Sequence, residues 1–482
     1  MAIKIAVKSQ VKSKRVAVIG GGISGLAAAH RLQESDADLD VQLFEAATRP
    51  GGVLQTEKHE DLLIERSADM FTTREPWALD LCRRIGFDDQ LINTNEADRR
   101  AFVVRSGRLI PVPQGFALMS PTKLTAVLTT PLLSPLGKLR FLLEIFVRQR
   151  RETEDESLRD FSVRRFGKET FDRLIQPLVG GIYTADPEKL SMQAALSQFV
   201  AMESEHGSLI RAARKGRGQQ QKAAGELSSG ARYGQFVAPR EGMGSLITAL
   251  LNKLERTRIH VESPVDQLVR REQQWCLTSK GNQQTFDAVI VALPACRAAP
   301  LLSEADAQLS QLLDRITYAS AAVVVLAYHR AEIQRMVQGF GFVVPAAENR
   351  RILAGSFSSI KFPHRAPNDR LLARVFMGGA LQSKLLEQDD AELTGIAVDE
   401  LQDLLEIAGQ PYFSKVIRWN HAMPQYHLGH QELVARIREC ESQMEGFAIT
   451  GNAYSGVGIP MCIGNGERAA EQILRQLGDR VV

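Results

Sequence analysis

The segment KRVAVIGGGISGLAAAHRL, near the start of the chain, constrains the fold more than any other. It predicts a buried strand from Arg15 to Ile19, a tight turn, and a helix that begins near Ser24. Gly20, Gly22 and Gly25 have the spacing G-x-G-x-x-G. In such a unit the first glycine permits the turn, the second lets a pyrophosphate approach the backbone, and the third lets helix and strand pack closely. The segment therefore predicts a dinucleotide-binding α/β domain with phosphates at a helix N-terminus.

A second strand supports this interpretation. The residues VQLFEA, from Val41 to Ala46, end with Glu45, which lies 20 positions after Gly25. A carboxylate at this place can accept hydrogen bonds from both ribose hydroxyls of a dinucleotide. A glycine turn that serves only helix packing is the alternative, and Glu45 makes it the weaker one.

The next motif distinguishes between dinucleotides. EAATRPGGVLQT resembles the second signature of glutathione-reductase-like flavoproteins, particularly the amine-oxidase superfamily, and this resemblance implies non-covalent FAD rather than NAD. Gly51 and Gly52 would let the chain pass close to the cofactor without a Cβ in the way.

The C-terminal region resembles the same superfamily. GFAITGNAYSGVGIPMCIGNGERAAEQIL predicts a strand from Phe447 to Thr450, a glycine-rich loop, and a helix over about 464–477. The resemblance would place this helix near the flavin, where its dipole can stabilise the reduced, anionic ring. A loop that merely caps a terminal helix is the alternative. The resemblance assigns these loop residues to the cofactor: Gly456, Val457, Gly458 and Ile459.

The middle of the chain supplies the rest of the predicted architecture. Segment 257–295 alternates in hydrophobicity between turn signals and predicts a β-meander. Its end, DAVIVALPA, resembles the strand that returns to the nucleotide domain, and Val265 matches the position that holds the adenine. The run YASAAVVVLAYH is rich in β-branched residues and predicts a buried strand. Residues 214–230 predict an exposed loop.

The predicted fold class is therefore α/β, with a Rossmann-like FAD-binding domain of the glutathione-reductase/amine-oxidase type. That domain is discontinuous and is expected to comprise residues 1–87, 234–299 and 424–482. A mainly helical insertion, 88–233, would carry a substrate or membrane face, and a mixed-sheet domain, 300–423, would bind substrate.

Four further blocks resemble the oxygen-dependent protoporphyrinogen oxidase family of haem biosynthesis: LIQPLVGGIYTADPEKLSM, GFGFVVP, SSIKFPHRAPNDRLLARVFMGG and WNHAMPQYHLGH. The resemblance implies an FAD-dependent, six-electron oxidation of protoporphyrinogen IX to protoporphyrin IX, with molecular oxygen as acceptor. The same chemistry on coproporphyrinogen III remains open. So does a non-catalytic flavin-binding scaffold in a haem-synthesis complex.

The resemblance also implies roles for three substrate-side residues. Arg74, at the end of IERSADMFTTREP, would pair with a substrate propionate. Phe340 would stack on a pyrrole ring, and Gly181 would lie where a side chain collides with substrate. An ordinary core role for Phe340 and a turn role for Gly181 are the alternatives. No catalytic side chain is assigned, because the flavin carries the chemistry. No metal site is assigned, because the spacings of His421, His427 and His430 fit no metal-binding motif.

Charge and cysteine usage exclude several classes of protein. With 59 basic and 56 acidic side chains the net charge is +3, so nucleic acid is not an expected partner. Five scattered cysteines without C-x-x-C spacing suggest neither disulfides nor zinc, which favours a reducing compartment such as the cytoplasm. No signal peptide is expected at the N-terminus.

The most lipid-like segment is 124–151. Prolines and basic residues interrupt its leucines, so it is too short to span a bilayer. A core helix and peripheral contact with the cytoplasmic membrane explain it equally well. A homodimer and hand-over of product to ferrochelatase are compatible with the family resemblance but are not fixed by the sequence.

Overall fold

The structure is a computed structural model that describes residues 13–150, 154–220, 235–335 and 338–478. Residues 1–12, where no signal peptide is expected, lie outside this range. The strands are β1 (Lys14–Ile19), β2 (Leu39–Phe44), β3 (Thr56–His59), β4 (Leu62–Glu65), β5 (Phe71–Thr72), β6 (Leu91–Asn93), β7 (Ala101–Arg105), β8 (Arg108–Pro111), β9 (Phe116–Ala117), β10 (Ser120–Pro121), β11 (Phe236–Pro239), β12 (Thr257–His260), β13 (Val265–Arg271), β14 (Gln274–Ser279), β15 (Asn282–Phe286), β16 (Ala288–Val291), β17 (Tyr318–His329), β18 (Gly341–Val343), β19 (Ala354–Phe357), β20 (Arg370–Gly378), β21 (Phe413–Pro424) and β22 (Phe447–Ile449).

The α-helices are α1 (Ile23–Glu34), α2 (Trp77–Arg84), α3 (Leu124–Thr129), α4 (Pro135–Leu142), α5 (Leu158–Phe166), α6 (Lys168–Thr170), α7 (Gln176–Tyr183), α8 (Met192–Ala195), α9 (Ser197–His206), α10 (Leu209–Gln220), α11 (Met243–Asn252), α12 (Ala295–Leu302), α13 (Ala307–Asp314), α14 (Ser358–Lys361), α15 (Asp390–Leu405), α16 (His430–Ser442) and α17 (Ile459–Gln476).

A parallel five-stranded sheet has the order β12-β2-β1-β16-β22. Its strands come from three separated segments of the chain, 14–44, 257–291 and 447–449. Alternate residues of β1 enter different cores: Val16 and Val18 pack with α1 and α17, whereas Ala17 and Ile19 pack with α12 and α13. Burial on both faces explains why β1 and β16 are continuous apolar runs rather than alternating ones.

A second, mixed sheet has seven strands in the order β21-β17-β20-β19-β18-β7-β8. Its longest buried strand, β17, lies next to the edge strand β21 and has the bounds predicted from YASAAVVVLAYH. One face packs against α15, and the opposite face packs against β4 through Leu62 and Ile64. We call the place where segment 53–69 meets this second face the junction.

Two predictions about the chain's middle have different outcomes. The β-meander is confirmed, because β13, β14 and β15 form a three-stranded antiparallel sheet. The insertion 88–233 was predicted to be mainly helical. Segment 88–233 is mostly helical where described, yet its hairpin β7–β8 joins the seven-stranded sheet. The cause is the Ser106–Gly107 turn between two apolar runs, whose positive φ angles of 49° and 71° close a hairpin.

The predicted loop 214–230 is also corrected in part. Its first seven residues continue helix α10 to Gln220, and its remainder lies outside the described residues.

Segment 124–151 divides into a buried and an exposed part. Leu132 and Leu133 are 0% and 3% exposed in a core formed with α5 and α7. Four other apolar side chains are exposed to 45–79%, and we call them the apolar patch: Leu136, Leu139, Leu143 and Phe146. No helix in the described parts of the chain is long and apolar enough to cross a membrane.

Candidate functional site

The first glycine loop follows β1. Gly20 has φ +103°, and a Cβ there would lie 2.5 Å from the carbonyl oxygen of Ala292. A Cβ at Gly25 would lie 1.9 Å from the carbonyl oxygen of Gly20. A Cβ at Gly22, by contrast, would meet no atom within 4 Å, although Gly22 is the N-cap of α1. Packing therefore requires Gly20 and Gly25, whereas Gly22 borders an open cradle at a helix N-terminus.

The second glycine turn lies directly against the first. The amide of Gly51 donates to the carbonyl of Gly21 at 2.7 Å. Gly51 and Gly52 have φ angles of +108° and +56°, which favour glycine, and a Cβ on Gly52 would lie 3.2 Å from the Cα of Gly22. The structure thus brings two motifs, predicted separately, to one place.

Glu45 and Val265 border the same loop. Glu45 accepts hydrogen bonds from the amides of Gly21 and Ala47, both at 2.8 Å. The amide of Ser263 donates to the carbonyl of Glu45, and two residues later Val265 begins β13 and packs against the core cluster that contains Phe44. The carboxylate and the backbone of Val265 are therefore neighbours across the C-terminal end of β2.

The C-terminal loop carries the chain from β22 to α17. Gly456 has φ +88°, Gly458 is the N-cap of α17, and Val457 packs against the core of the helical segment. The helix begins at Ile459, so the predicted start near residue 464 is wrong. A proline in the first turn lacks only an amide that has no helical partner there, so Pro460 does not delay the helix.

Helix α17 also packs closely on α1. A Cβ at Gly466 would lie 2.2 Å from the carbonyl oxygen of Ser24. This close approach fixes the C-terminal loop relative to the first glycine loop. All the predicted cofactor residues therefore lie around the C-terminal edge of the parallel sheet, where α/β folds bind ligands.

These features fit a bound dinucleotide. The cradle beside Gly22 would be filled by a Cβ, the amides at the start of α1 can face phosphates, and the Glu45 carboxylate stands beside them. The role of each residue toward the cofactor remains a prediction.

Two predicted substrate residues are accessible. Arg74 is exposed between β5 and α2, and its side chain forms no ion pair with another described residue. Gly181 is exposed in the last turn of α7, where a Cβ would make only an ordinary 3.5 Å contact with Val343 Cγ1. Both residues are therefore accessible to a ligand.

The third predicted substrate residue, Phe340, is buried. It precedes β18, is 2% exposed, and lies with Phe342 and Val344 in the core against α15. Because successive residues of a strand point to opposite faces, Gly341 and Val343 occupy the other face. The core alternative therefore describes Phe340, and stacking of its ring on substrate is not supported.

Sequence reasoning missed a buried charge cluster at the junction. Lys361 Nζ lies 2.9 Å and Arg374 Nη1 3.3 Å from Asp69 Oδ2. Burial alone would raise the pKa of Asp69, but the charges of Lys361 and Arg374 outweigh it and lower the pKa to about 2. A neighbouring pair joins Glu65 to Arg365 at 3.5 Å, and burial raises the pKa of Glu65.

The charged residues of this cluster are visible in the sequence, but the sequence does not show that they pair with one another. Asp69 stands in IERSADMF and Lys361 in SSIKFPHR, 292 positions apart. Neither segment predicts the other as its partner.

Comparison with known proteins identifies relatives along nearly the whole chain. A model of the family "Flavin containing amine oxidoreductase" matches residues 23–474. Coproporphyrinogen III oxidase of Bacillus subtilis (strain 168) is 33% identical over 96% of this chain and 98% of its own length. Protoporphyrinogen oxidase 2, chloroplastic/mitochondrial, of Arabidopsis thaliana is 30% identical over 97% of this chain and 95% of its own. The crystal structure of a proposed protoporphyrinogen oxidase from Exiguobacterium sp. 255-15 has a TM-score of 0.85 at 30% identity, covering 97% of this chain and 100% of that one.

Proposed function

Because the chain belongs to the family of flavin-containing amine oxidoreductases, we propose that it catalyses the six-electron oxidation of a porphyrinogen to the conjugated porphyrin. The observation that carries this proposal is the end-to-end similarity to relatives named for porphyrinogen oxidation, in bacteria and in plants. The four sequence blocks that resemble the protoporphyrinogen oxidase family agree with it.

The cofactor we propose is non-covalent FAD. When bound, it would supply the two-electron acceptor, so three successive oxidations would complete the reaction, each followed by reoxidation with oxygen. The amides at the start of α1 would hold the pyrophosphate, Glu45 the ribose hydroxyls, and the loop 456–459 would close over the ring. Acid precipitation should release all flavin from the yellow protein, and flavin that stays in the pellet would contradict this assignment.

The protein's own task is to bind and orient the substrate. Arg74 presents an exposed guanidinium that can hold a propionate through two parallel hydrogen bonds. Gly181, in the exposed last turn of α7, would face the substrate, and a Cβ there would make only an ordinary contact with Val343.

Protoporphyrinogen IX is the first candidate substrate, and coproporphyrinogen III is the second. The second is favoured by the names of two bacterial relatives, at 33% and 30% identity. Porphyrin fluorescence after incubation with each porphyrinogen, with parallel measurement of oxygen uptake, compares kcat/KM for the two. A flavin-loaded protein that oxidises neither would indicate the scaffold alternative.

We also propose a cytoplasmic location with peripheral membrane contact through the apolar patch. Leu136 and Phe146 are 79% and 77% exposed, and Lys138 and Arg148 lie beside them in the chain. Apolar side chains interleaved with cations suit the surface of an anionic bilayer. Hand-over of product to ferrochelatase and a homodimer remain predictions without a structural argument.

Vesicle flotation tests the membrane proposal. The double variant Leu136→Asp/Leu139→Asp should keep its flavin but leave anionic phospholipid vesicles, whereas Leu381→Asp, at a 49% exposed site elsewhere, should remain bound. Equal flotation of both variants, or of neither, would refute contact through this patch.

A further inference from the structure

Helix α10 has one side that carries only cations in its first two turns. Arg211, Arg214 and Lys215 are exposed, and because they are three and four residues apart they lie on one side of the helix. We call these three residues the cationic face. The other side of the helix is buried through four apolar residues: Leu209, Ile210, Ala212 and Ala213.

The described neighbours of α10 do not neutralise this face. None of its three cations forms an ion pair with another described residue. Helix α9, strand β10 and the turn Leu143–Phe146 pack against α10. They carry three carboxylates, of which Glu144 and Glu203 are buried and paired with Arg165. Glu205 is exposed, so one exposed carboxylate accompanies three exposed cations.

A buried carboxylate fixes the cationic face beside the apolar patch. Glu144 belongs to the patch segment and lies in the chain between two of its exposed residues. Its carboxylate accepts hydrogen bonds from the amides of Leu209 at 3.0 Å and Ile210 at 3.3 Å, which begin α10. Arg211 follows Ile210 directly. The patch and the first turn of α10 are therefore held together through one side chain.

Apolar and cationic side chains in this arrangement suit a bilayer surface. Apolar side chains can enter the boundary between headgroups and acyl chains, while cations beside them remain at the level of the phosphates. Each lysine or arginine near an anionic membrane strengthens attachment, and salt screens this attraction. The cationic face is thus complementary in charge to the surface that the apolar patch is proposed to contact.

We propose that the cationic face of α10 binds the phosphate groups of anionic phospholipids and gives the protein a preference for anionic over zwitterionic bilayers. The inference rests on the membrane contact proposed for the apolar patch, and it adds the class of lipid and a second surface. The patch supplies the part of the attachment that is independent of lipid charge. The cationic face supplies the part that depends on lipid charge and on salt.

The variant Arg211→Gln/Arg214→Gln/Lys215→Gln tests this, because it removes the three charges and keeps the side chains polar. Flotation compares vesicles of pure phosphatidylcholine with vesicles of an equal mixture of phosphatidylcholine and phosphatidylglycerol. The wild type should prefer the mixed vesicles, and added salt should weaken that preference. The variant should partition onto mixed vesicles roughly a hundredfold more weakly than the wild type. On pure phosphatidylcholine the two proteins should partition equally.

The matched control is Arg271→Gln/Lys280→Gln/Arg315→Gln. It removes the same charge from three exposed residues outside the helical segment, none of which forms an ion pair with another described residue. This variant should partition like the wild type on both kinds of vesicle. Flavin content and urea unfolding should be the same for both variants and the wild type.

The outcomes separate two kinds of failure. Wild-type partitioning of the α10 variant on mixed vesicles would overturn the proposal, and so would an equal loss in the control, because net charge alone would then explain the preference. An α10 variant that unfolds would also overturn it, because the cations would then serve the fold. A wild type that floats with neither kind of vesicle would instead refute the membrane contact of the apolar patch itself.

Discussion

At the first glycine loop an added methyl group would meet a backbone oxygen at 1.9 or 2.5 Å, whereas at Gly181 it would meet only the end of a valine at 3.5 Å. Gly20 and Gly25, predicted to bind the cofactor, are thus packed against backbone atoms, whereas Gly181, predicted to face the substrate, has room for a side chain. The difference teaches that a sequence motif predicts the position of a residue reliably where steric contacts allow only glycine. Where a larger side chain would also fit, a family resemblance alone predicts the role of the residue less reliably.

The strongest test of this contrast is Gly25→Ala. Its Cβ would overlap a carbonyl oxygen that cannot move without shifting β1, so we expect a loss of at least about 3 kcal/mol in the free energy of unfolding. Urea unfolding of the apoprotein measures it. Gly181→Ala is the control and should unfold at the same urea concentration as the wild type. Equal stability of both variants would contradict the difference in packing between Gly25 and Gly181.

Gly22→Ala tests whether a glycine of the first loop is needed to leave room for the ligand rather than for packing of the protein. Nothing lies within 4 Å of the new Cβ, so the apoprotein should keep its stability. The methyl group would occupy the cradle, and the Kd for FAD should rise by roughly a hundredfold. Fluorescence titration of apoprotein with FAD gives the answer, and an unchanged Kd would place the pyrophosphate elsewhere.

On the substrate side, Arg74→Ala should lower kcat/KM by roughly ten- to a hundredfold, because a charge-assisted contact contributes about 1.5 to 3 kcal/mol. Most of the loss should appear in KM, since a propionate is remote from the carbon that is oxidised. Arg74→Lys should restore little, because lysine lacks the planar fork. Loss of flavin, or an unaltered KM, would show that the family role does not apply at this position.

The stability of the protein at acid pH tests the ion pairs of Asp69 at the junction. The pKa of Asp69 is lowered from 3.8 to about 2 in the folded state, so its stabilising contribution is complete above pH 3.8 and is lost as the pH falls towards 2. The stability gap between wild type and Asp69→Asn should therefore shrink by about 2 kcal/mol across this window. A gap that is constant with pH would mean that Asp69 is not paired as described.

Phe340→Leu should have the smallest effect. A near volume-conserving change in the core against α15 should cost about 1 kcal/mol in unfolding free energy and leave KM for porphyrinogen unchanged. A raised KM at normal stability would show that Phe340 contacts the substrate.

The elements that the sequence predicted best are those with a local physical cause. The run Tyr318–His329 is a strand because β-branched residues favour it. Gly25 is required by a contact within the loop itself, since a Cβ there would meet the carbonyl oxygen of Gly20. The sequence left two roles open for Phe340, because a resemblance carries no information about whether a side chain faces the core or the substrate. The Asp69–Lys361 pair depends on tertiary packing and could not be predicted from either segment alone.

The three-segment construction of the parallel sheet has a consequence for biosynthesis. Strand β1 and helix α1 leave the ribosome early, but β22 and α17, which complete the sheet and cover α1, are made more than 400 residues later. Such long-range pairing is slow and leaves apolar surface uncovered in the meantime. Leu26 and its neighbours on α1 therefore stay without their cover from α17 until synthesis has passed residue 476. A chaperone that holds the nascent chain would raise the yield of yellow protein more than one added after release.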